Sequence, residues 1–213
     1  MSRTPHQDGS AFFEAVHRAI DHGAPLAELS ASETFNGAAQ HVAVLLADAV
    51  DAFRRRSFGT STFIAITALE EAAKAEVLGF RVRPRLGESK HVRDPMRDHR
   101  QKHLIAVRPT TFMGRLPELL GLDTCARLQK EAEVGGLVEL RERALYVHAD
   151  ERGVTTPAST ITGQRAREIL LLALECADDI LVGWAESSFE LGNRFEVWIG
   201  ELAGRCASND ERS

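Results

Sequence analysis

Helical periodicity is the feature of this sequence that most restricts its fold. Apolar residues recur at three- and four-residue spacing through long segments rich in Ala, Leu and Glu, and the apolar–polar alternation of a strand is nearly absent. Turn-forming residues such as Gly and Pro fall between these segments. Helices joined in this way favour antiparallel neighbours. We therefore predict an all-α fold, an antiparallel helical bundle with an extra N-terminal helix and a long C-terminal helix.

The 213 residues suit one compact domain. We expect a disordered N-terminus over residues 1–9, a single helical domain over residues 10–205 and a flexible tail over residues 206–213. Gly192-Asn193 is expected to end the long C-terminal helix. The predicted helices cover residues 11–22, 32–56, 60–80, 94–107, 123–149 and 162–191, with a connector over residues 81–93 and a last turn through Cys206.

Several classes of protein are excluded by what the sequence lacks. The three cysteines are far apart, unlike those of disulfide frameworks or zinc sites, and no apolar run approaches the ~18 residues of a membrane span. No signal-peptide pattern, phosphate-binding glycine motif or G-x-S-x-G motif is present. His99 and His103 have a zinc-compatible spacing, but no third ligand is evident. We expect a cytoplasmic protein with no membrane segment, cofactor or metal.

Charge is distributed unevenly along the chain, whose formal net charge is −5. Residues 81–108 hold nine Lys or Arg and three acidic residues, a local charge of +6 that leaves −11 for the remainder. This segment is either a basic face that contacts phosphates or an ordinary solvated loop and helix. Within it, the candidate nucleic-acid-binding residues are His99, Arg100, Lys102, His103 and Arg97.

Two charged residues of the third predicted helix lie where its face should be apolar. At about 100° per residue, Glu70 and Lys74 project from the middle of the helix's wide apolar arc. Their i, i+4 spacing allows an ion pair, although a buried pair adds little stability over apolar residues of similar size. We interpret them either as lining a functional cleft or as an ordinary partly buried pair. Glu71 is expected at the edge of the arc, facing solvent, as a supporting residue.

A second inward-facing pair is predicted in the helix over residues 123–149. On its helical wheel Arg141 and His148 lie within about 20° of each other on the apolar face, whereas Arg143 points away. Arginine can hold a phosphate with two hydrogen bonds, and histidine can move a proton to or from a ribose oxygen. The pair therefore suits RNA cleavage. The alternative is a structural or capping histidine near the helix end.

Three short segments, in this order, carry a resemblance to a known family. Residues 67–75 (TALEEAAKA) look like the A-L-E-E-x-x-K signature of AbiV-type abortive-infection proteins, of the HEPN superfamily. Residues 98–103 (DHRQKH) resemble the family's downstream H-x-x-K segment, and residues 140–148 (LRERALYVH) resemble its Leu-Tyr-Val helix end. The resemblance extends over roughly residues 39–181, which is most of the chain.

The resemblance implies a small HEPN-like helical bundle, commonly a homodimer. Many HEPN proteins share an R-x(4–6)-H motif, which in active members cleaves RNA without metal at a site composed by two subunits. Two registers fit this chain, Arg143 with four intervening residues and Arg141 with six, and the helical wheel favours Arg141. His148 departs from the common AbiV pattern, in which an acidic residue follows Tyr-Val. The implied role is antiviral defence that halts growth or translation in a phage-infected cell.

Two functions follow as hypotheses. The first is a metal-independent endoribonuclease acting on cellular or phage RNA, with Arg141 and His148 for the chemistry and residues 81–108 for phosphate contact. The second is a non-catalytic helical module that dimerises or binds a component of the translation machinery and blocks growth by occupancy. The ambiguous register of the arginine and the acidic character of the remaining surface favour the second.

Overall fold

The computed structural model of this protein describes residues 8–21, 31–80, 94–151, 153–183 and 186–207. In this part of the chain, 3₁₀ turns cover Pro95–Arg97 and Pro109–Met113. The helices are α1 (Asp8–Asp21), α2 (Ala31–Arg54), α3 (Phe58–Phe80), α4 (His99–Ala106), α5 (Leu116–Leu120), α6 (Leu122–Val134), α7 (Gly136–Leu145), α8 (Pro157–Thr160), α9 (Gly163–Leu181) and α10 (Glu186–Ala207), and the strands are β1 (His148–Asp150) and β2 (Gly153–Thr155).

Helix α3 is the central element of the bundle. It packs against α2, α4, α7 and α9. This central position suits its sequence, because a helix that is apolar on nearly all sides must be buried among other helices. Small side chains let those neighbours approach closely, and Ser61 donates a hydrogen bond to the Ala49 carbonyl of α2 at 2.9 Å. The buried alanines of α3 are Ala65, Ala68, Ala72, Ala73 and Ala75.

Helix α9 supplies the second buried wall of the core. Its residues 166–177 are all buried, and the helix begins at Thr162, whose side chain accepts a hydrogen bond from the Arg165 backbone. Among the described residues, no helix combines the length and the apolar character needed to cross a membrane. The all-α prediction is confirmed. The strands of the described chain are β1 and β2, three residues each, which pair as one antiparallel hairpin.

The predicted helix over residues 123–149 is wrong in two places. Gly135 adopts a left-handed backbone (φ 89°) that ends α6 and starts α7, a conformation that favours glycine. Helix α7 then ends at Leu145, because Tyr146 is extended, and the chain continues into β1, where His148 pairs with Thr155. The helical wheel that placed His148 on one face with Arg141 therefore does not apply.

The C-terminal region divides at a different glycine from the one predicted. Gly183, with φ 95°, follows the end of α9, whereas Gly192 is buried inside α10. A Cβ on Gly192 would lie 3.3 Å from both methyl groups of Val182, so this glycine permits close packing and does not end a helix. The predictions for residues 1–7, 81–93 and 208–213 lie outside the described residues.

Substitution of Gly59 tests how closely the first turn of α3 packs against its neighbours. A Cβ at this position would lie 2.7 Å from Pro157 Cβ and 2.8 Å from the Ala144 carbonyl oxygen, so Gly59→Ala should lower the free energy of unfolding by about 1–3 kcal/mol. Gly37→Ala, in α2 with nothing within 4 Å of the added carbon, should raise it by about 0.5–1 kcal/mol. Urea denaturation of both variants measures this. Equal stability of the two would contradict the packing.

Candidate functional site

The candidate site is built around one buried carboxylate. Glu70 lies near the middle of α3 and is 2% exposed. His99 Nδ1 is 2.8 Å from both carboxylate oxygens, and Lys102 Nζ donates a hydrogen bond to Oε2 at 2.6 Å. His103 Nε2 lies 3.2 Å from Oε1, although neither ring nitrogen of His103 has hydrogen-bond geometry with a described partner. Three groups of one helix thus converge on a single side chain of another.

The local sequence explains why α4 presents these three groups together. Asp98 caps the helix by accepting a hydrogen bond from the Gln101 backbone at 3.1 Å, which fixes the first turn. His99, Lys102 and His103 then fall at i, i+3 and i+4, the spacing that puts residues on one helix face. Helix α4 packs that face on α3.

Arg141 reaches the same carboxylate from α7. Its Nε is 3.7 Å from Glu70 Oε1 and has no hydrogen-bond partner among the described residues. The guanidinium carbon lies 4.8 Å from the centroid of the ring of Phe63, two turns before Glu70 on α3, a cation–π contact that restrains the side chain. With 24% of the side chain exposed, Arg141 connects the buried cluster to the surface.

The cluster carries more positive charge than its carboxylate needs. Burial alone raises the pKa of the Glu70 carboxyl, but His103 and Lys102 beside it lower that pKa more strongly, to about 2. Burial lowers the pKa of His103, which opposes its charging. Lys102, which is 4% exposed and donates a hydrogen bond to Glu70, is therefore the counter-ion of this carboxylate. Arg141, whose Nε lies 3.7 Å from the same carboxylate, adds a second cation, and the exposed 24% of its side chain is a favourable position for an anionic ligand.

The structure changes the predicted partner of Lys74. Glu70 is buried as expected, but Lys74 donates a hydrogen bond to Glu71 at 2.5 Å, and their side chains are partly exposed. The i, i+4 pair of Glu70 and Lys74 is therefore wrong. Lys74 and Glu71 form an ordinary ion pair on the outer side of α3, while Glu70 turns inward to α4 and α7.

The residues predicted for catalysis do not all come together. Arg141 joins the Glu70 cluster, but His148 lies exposed on β1, and Arg143 is exposed on α7. The helical wheel correctly turns Arg141 inward and Arg143 outward. It fails for His148 because the helix ends three residues earlier.

The basic segment also divides into buried and exposed residues. His103 is fully buried and Lys102 nearly so, hence neither can serve as a surface contact for phosphate in this arrangement. Arg108 forms an ion pair with Glu76 of α3. Of the predicted nucleic-acid-binding residues, Arg97 and Arg100 are exposed and His99 is partly exposed. In the described part of residues 81–108, Lys102, His103 and Arg108 are thus used inside the bundle, whereas Arg97 and Arg100 remain on its surface.

The link from α4 to Glu70 is absent from the sequence predictions, although a signal for it exists. A helix face with His, Lys and His at i, i+3 and i+4 needs an anion if it is buried, and Glu70 is a carboxylate isolated in an apolar arc. Matching the two would have joined α3 to α4. Among the described residues, no group of three or more His, Cys, Asp or Glu side chains has an arrangement that could hold a metal ion.

The Glu70–Lys102 pair should dominate the stability of this region. Glu70→Gln leaves the Lys102 ammonium buried without its counter-charge, and we expect a loss of about 3–5 kcal/mol in the free energy of unfolding. Lys102→Met in the same chain should restore most of that loss. Glu71→Gln, which breaks the partly exposed pair with Lys74, is the matched control and should cost about 1 kcal/mol or less. Additive single and double variants in denaturant titrations would contradict the coupling.

The pH dependence of stability should report the same carboxylate. Because its pKa is lowered from 4.5 to about 2, ionised Glu70 stabilises the fold above about pH 4.5, and that contribution is lost as the pH falls towards 2. The difference in unfolding free energy between the parent and Glu70→Gln should therefore shrink steadily below about pH 4.5. Urea titrations of both proteins at a series of pH values measure it. A difference that stays constant through this range would show that Glu70 has an ordinary pKa.

Comparison with known proteins agrees with the resemblance seen in the three sequence segments. The family model HEPN_AbiV, described as AbiV, matches residues 31–178, which is more than half of the chain and includes the whole Glu70 cluster. Searches of curated proteins and of solved structures found no match. The matched region runs from the start of α2 almost to the end of α9. The chain therefore belongs to the AbiV family of HEPN proteins.

Proposed function

We propose that this protein is a phage-defence protein that acts on RNA as a metal-independent endoribonuclease. Membership of the AbiV family supports a role in abortive infection. The observation that carries the RNA part of the proposal is the position of Arg141, a partly exposed cation held against a buried carboxylate that Lys102 already neutralises. We take the anion to be a phosphodiester, because a guanidinium group can bind two phosphate oxygens at once.

The geometry of Arg141 suits a bound phosphate. Its Nε faces Glu70 and its ring contact with Phe63 restrains the guanidinium plane, so the two terminal nitrogens are available for a ligand at the surface. Terminal guanidinium N–H groups can bind two phosphate oxygens at once, and they stay charged at every physiological pH. Holding the side chain in place before binding reduces the entropy lost on binding.

His148 and dimerisation remain parts of the proposal. By resemblance, active HEPN sites are composed by two subunits, and His148 lies on the exposed hairpin where a second copy is able to meet it. His148 serves catalysis only in an assembly that brings its ring to the guanidinium of Arg141. Of the predicted nucleic-acid-binding residues, the exposed Arg97 and Arg100 would guide RNA towards the protein.

An RNA cleavage assay with Arg141→Ala tests the proposal. The parent protein should cut RNA in the presence of EDTA, and Arg141→Ala should lower kcat/KM by about 100-fold or more, since it removes the charged contact to the phosphate. Arg143→Ala separates the two registers and should retain most of the activity. Arg55→Ala, an exposed arginine after α2, is the control for a general loss of positive charge. Full activity of Arg141→Ala would remove Arg141 from the mechanism.

An exposed apolar patch favours the second candidate function, a non-catalytic interaction module. Leu145, Tyr146 and Val147 at the end of α7 and Val154 of β2 are between 43% and 68% exposed. Exposed apolar groups clustered along a short stretch of chain mark surfaces that bind other proteins. In this alternative, the patch binds a second copy or a translation component, and growth stops without RNA cleavage.

Growth arrest in cells that express the protein separates the two candidates. If the protein acts by occupancy, toxicity should survive Arg141→Ala and be abolished by Tyr146→Asp with Val154→Asp, which place charge in the apolar patch. If it acts by cleavage, Arg141→Ala should abolish toxicity while the protein accumulates to the parent level. Phe189→Asp, at an exposed apolar position of α10, controls for the added charge.

A further inference from the structure

We propose that His99 is the residue that moves the proton in this site, with Glu70 as the positioning residue that orients its ring. The proposal rests on the RNA-cleaving function above and names the group that performs its central step. Of the two described histidines in contact with Glu70, His99 is the one that reaches the surface, since 43% of its side chain is exposed and His103 is fully buried. Sequence patterns assigned His99 only a role in phosphate contact.

The contact with Glu70 fixes which ring nitrogen carries a hydrogen. Nδ1 lies 2.8 Å from both carboxylate oxygens, and an ionised carboxylate can only accept. Neutral His99 is therefore held with its hydrogen on Nδ1. Its Nε2 is left with a lone pair, and a lone pair at the exposed edge of the ring is what a proton acceptor requires.

The carboxylate that orients His99 is itself immobilised. Lys102 donates to Glu70 at 2.6 Å inside the protein, and Asp98 caps the turn that carries His99. A ring oriented by a fixed carboxylate keeps one tautomer, and the imidazolium that forms after proton uptake is stabilised by the neighbouring negative charge. The arrangement is therefore prepared before any ligand binds.

Arg141 places the phosphate beside this base. Its Nε and the Nδ1 of His99 are 3.7 Å and 2.8 Å from the same Oε1 atom, so the two side chains are neighbours across one carboxylate. A phosphodiester held by the terminal nitrogens of Arg141 would lie next to the exposed edge of the His99 ring. One group that holds the phosphate and one that accepts a proton are the minimum that cleavage by an adjacent ribose hydroxyl needs.

The step balances without a metal or a second reagent. His99 Nε2 accepts the proton of the ribose 2′-hydroxyl as O2′ attacks phosphorus and forms the new P–O2′ bond. The P–O5′ bond breaks, and the imidazolium returns the proton to the departing O5′. The products are a 2′,3′-cyclic phosphate and a 5′-hydroxyl end, and His99 is neutral again.

His99→Asn is the variant that isolates proton transfer from structure. The Asn side-chain amide can still donate to Glu70 in place of Nδ1–H but has no second nitrogen that accepts a proton. We expect an unchanged unfolding midpoint, unchanged affinity for RNA methylated at its 2′-hydroxyls, and a fall in kcat of about 100- to 10,000-fold. His41→Ala, at an exposed histidine of α2, is the matched control and should cleave as the parent does.

Two further measurements test the orientation by Glu70. Nitrogen-15 NMR of the imidazoles should show neutral His99 with its hydrogen on Nδ1 in the parent protein, and a mixture of tautomers in Glu70→Gln with Lys102→Met. Added imidazole should restore part of the cleavage lost in His99→Ala, because the ring edge is exposed, and should not restore Arg141→Ala.

The outcomes separate the inference from the function on which it rests. If the parent cuts RNA and His99→Asn cuts equally fast, His99 is not the proton carrier and the endoribonuclease proposal stands. The same conclusion follows if cleavage is abolished by His148→Ala but not by His99→Asn. A hydrogen found on Nε2 of neutral His99 also overturns the inference. If the parent cuts no RNA in any assay, both the proposed function and the catalytic role of His99 are wrong.

Discussion

The burial of one ionised carboxylate, Glu70, is the constraint on which the site depends. On α3, Glu70 lies among buried aliphatic residues and alanines such as Ile66, Leu69 and Ala73, and a charge in such surroundings persists only with a close counter-charge. That counter-charge comes from α4, through Lys102, and a second cation approaches from α7, through Arg141. Satisfying Glu70 therefore fixes how three helices are placed relative to one another.

The close packing around α3 and the burial of Glu70 both depend on the small side chains of this helix. Small side chains along α3 let α2, α9, α4 and α7 approach closely, and close approach excludes the water that would otherwise solvate Glu70. Gly59 allows the same close approach at the first turn of α3, because the end of α7 and Pro157 lie too near this position for a side chain to fit. Arg141 lies one turn before Ala144 on α7. The close contact of Ala144 with Gly59, three turns before Glu70 on α3, therefore helps to set the position of Arg141.

Sequence periodicity predicted the parts of this molecule that depend on neighbours in the chain. The all-α class follows from the helical periodicity, and the predicted limits of α2 and α3 lie within two residues of those observed. The inward direction of Glu70 and Arg141 follows from a helical wheel. The end of α7 did not, because Leu145 is followed by an extended segment whose pairing with β2 involves residues beyond the turn. The partner of Glu70 did not either, since His99 and Lys102 are 29 and 32 residues away and only packing brings them close.

More basic groups surround Glu70 than are needed to balance its charge. Lys102 alone balances the carboxylate, and a buried pair of this kind already contributes no more stability than apolar residues of similar size would. Arg141 adds a second cation that forms no hydrogen bond with Glu70, and His99 adds a ring whose outer nitrogen points away from it. Stability does not require either group. In the proposed RNA-cleaving site both would have a role, Arg141 as the group that binds the phosphate and His99 as the group that moves the proton.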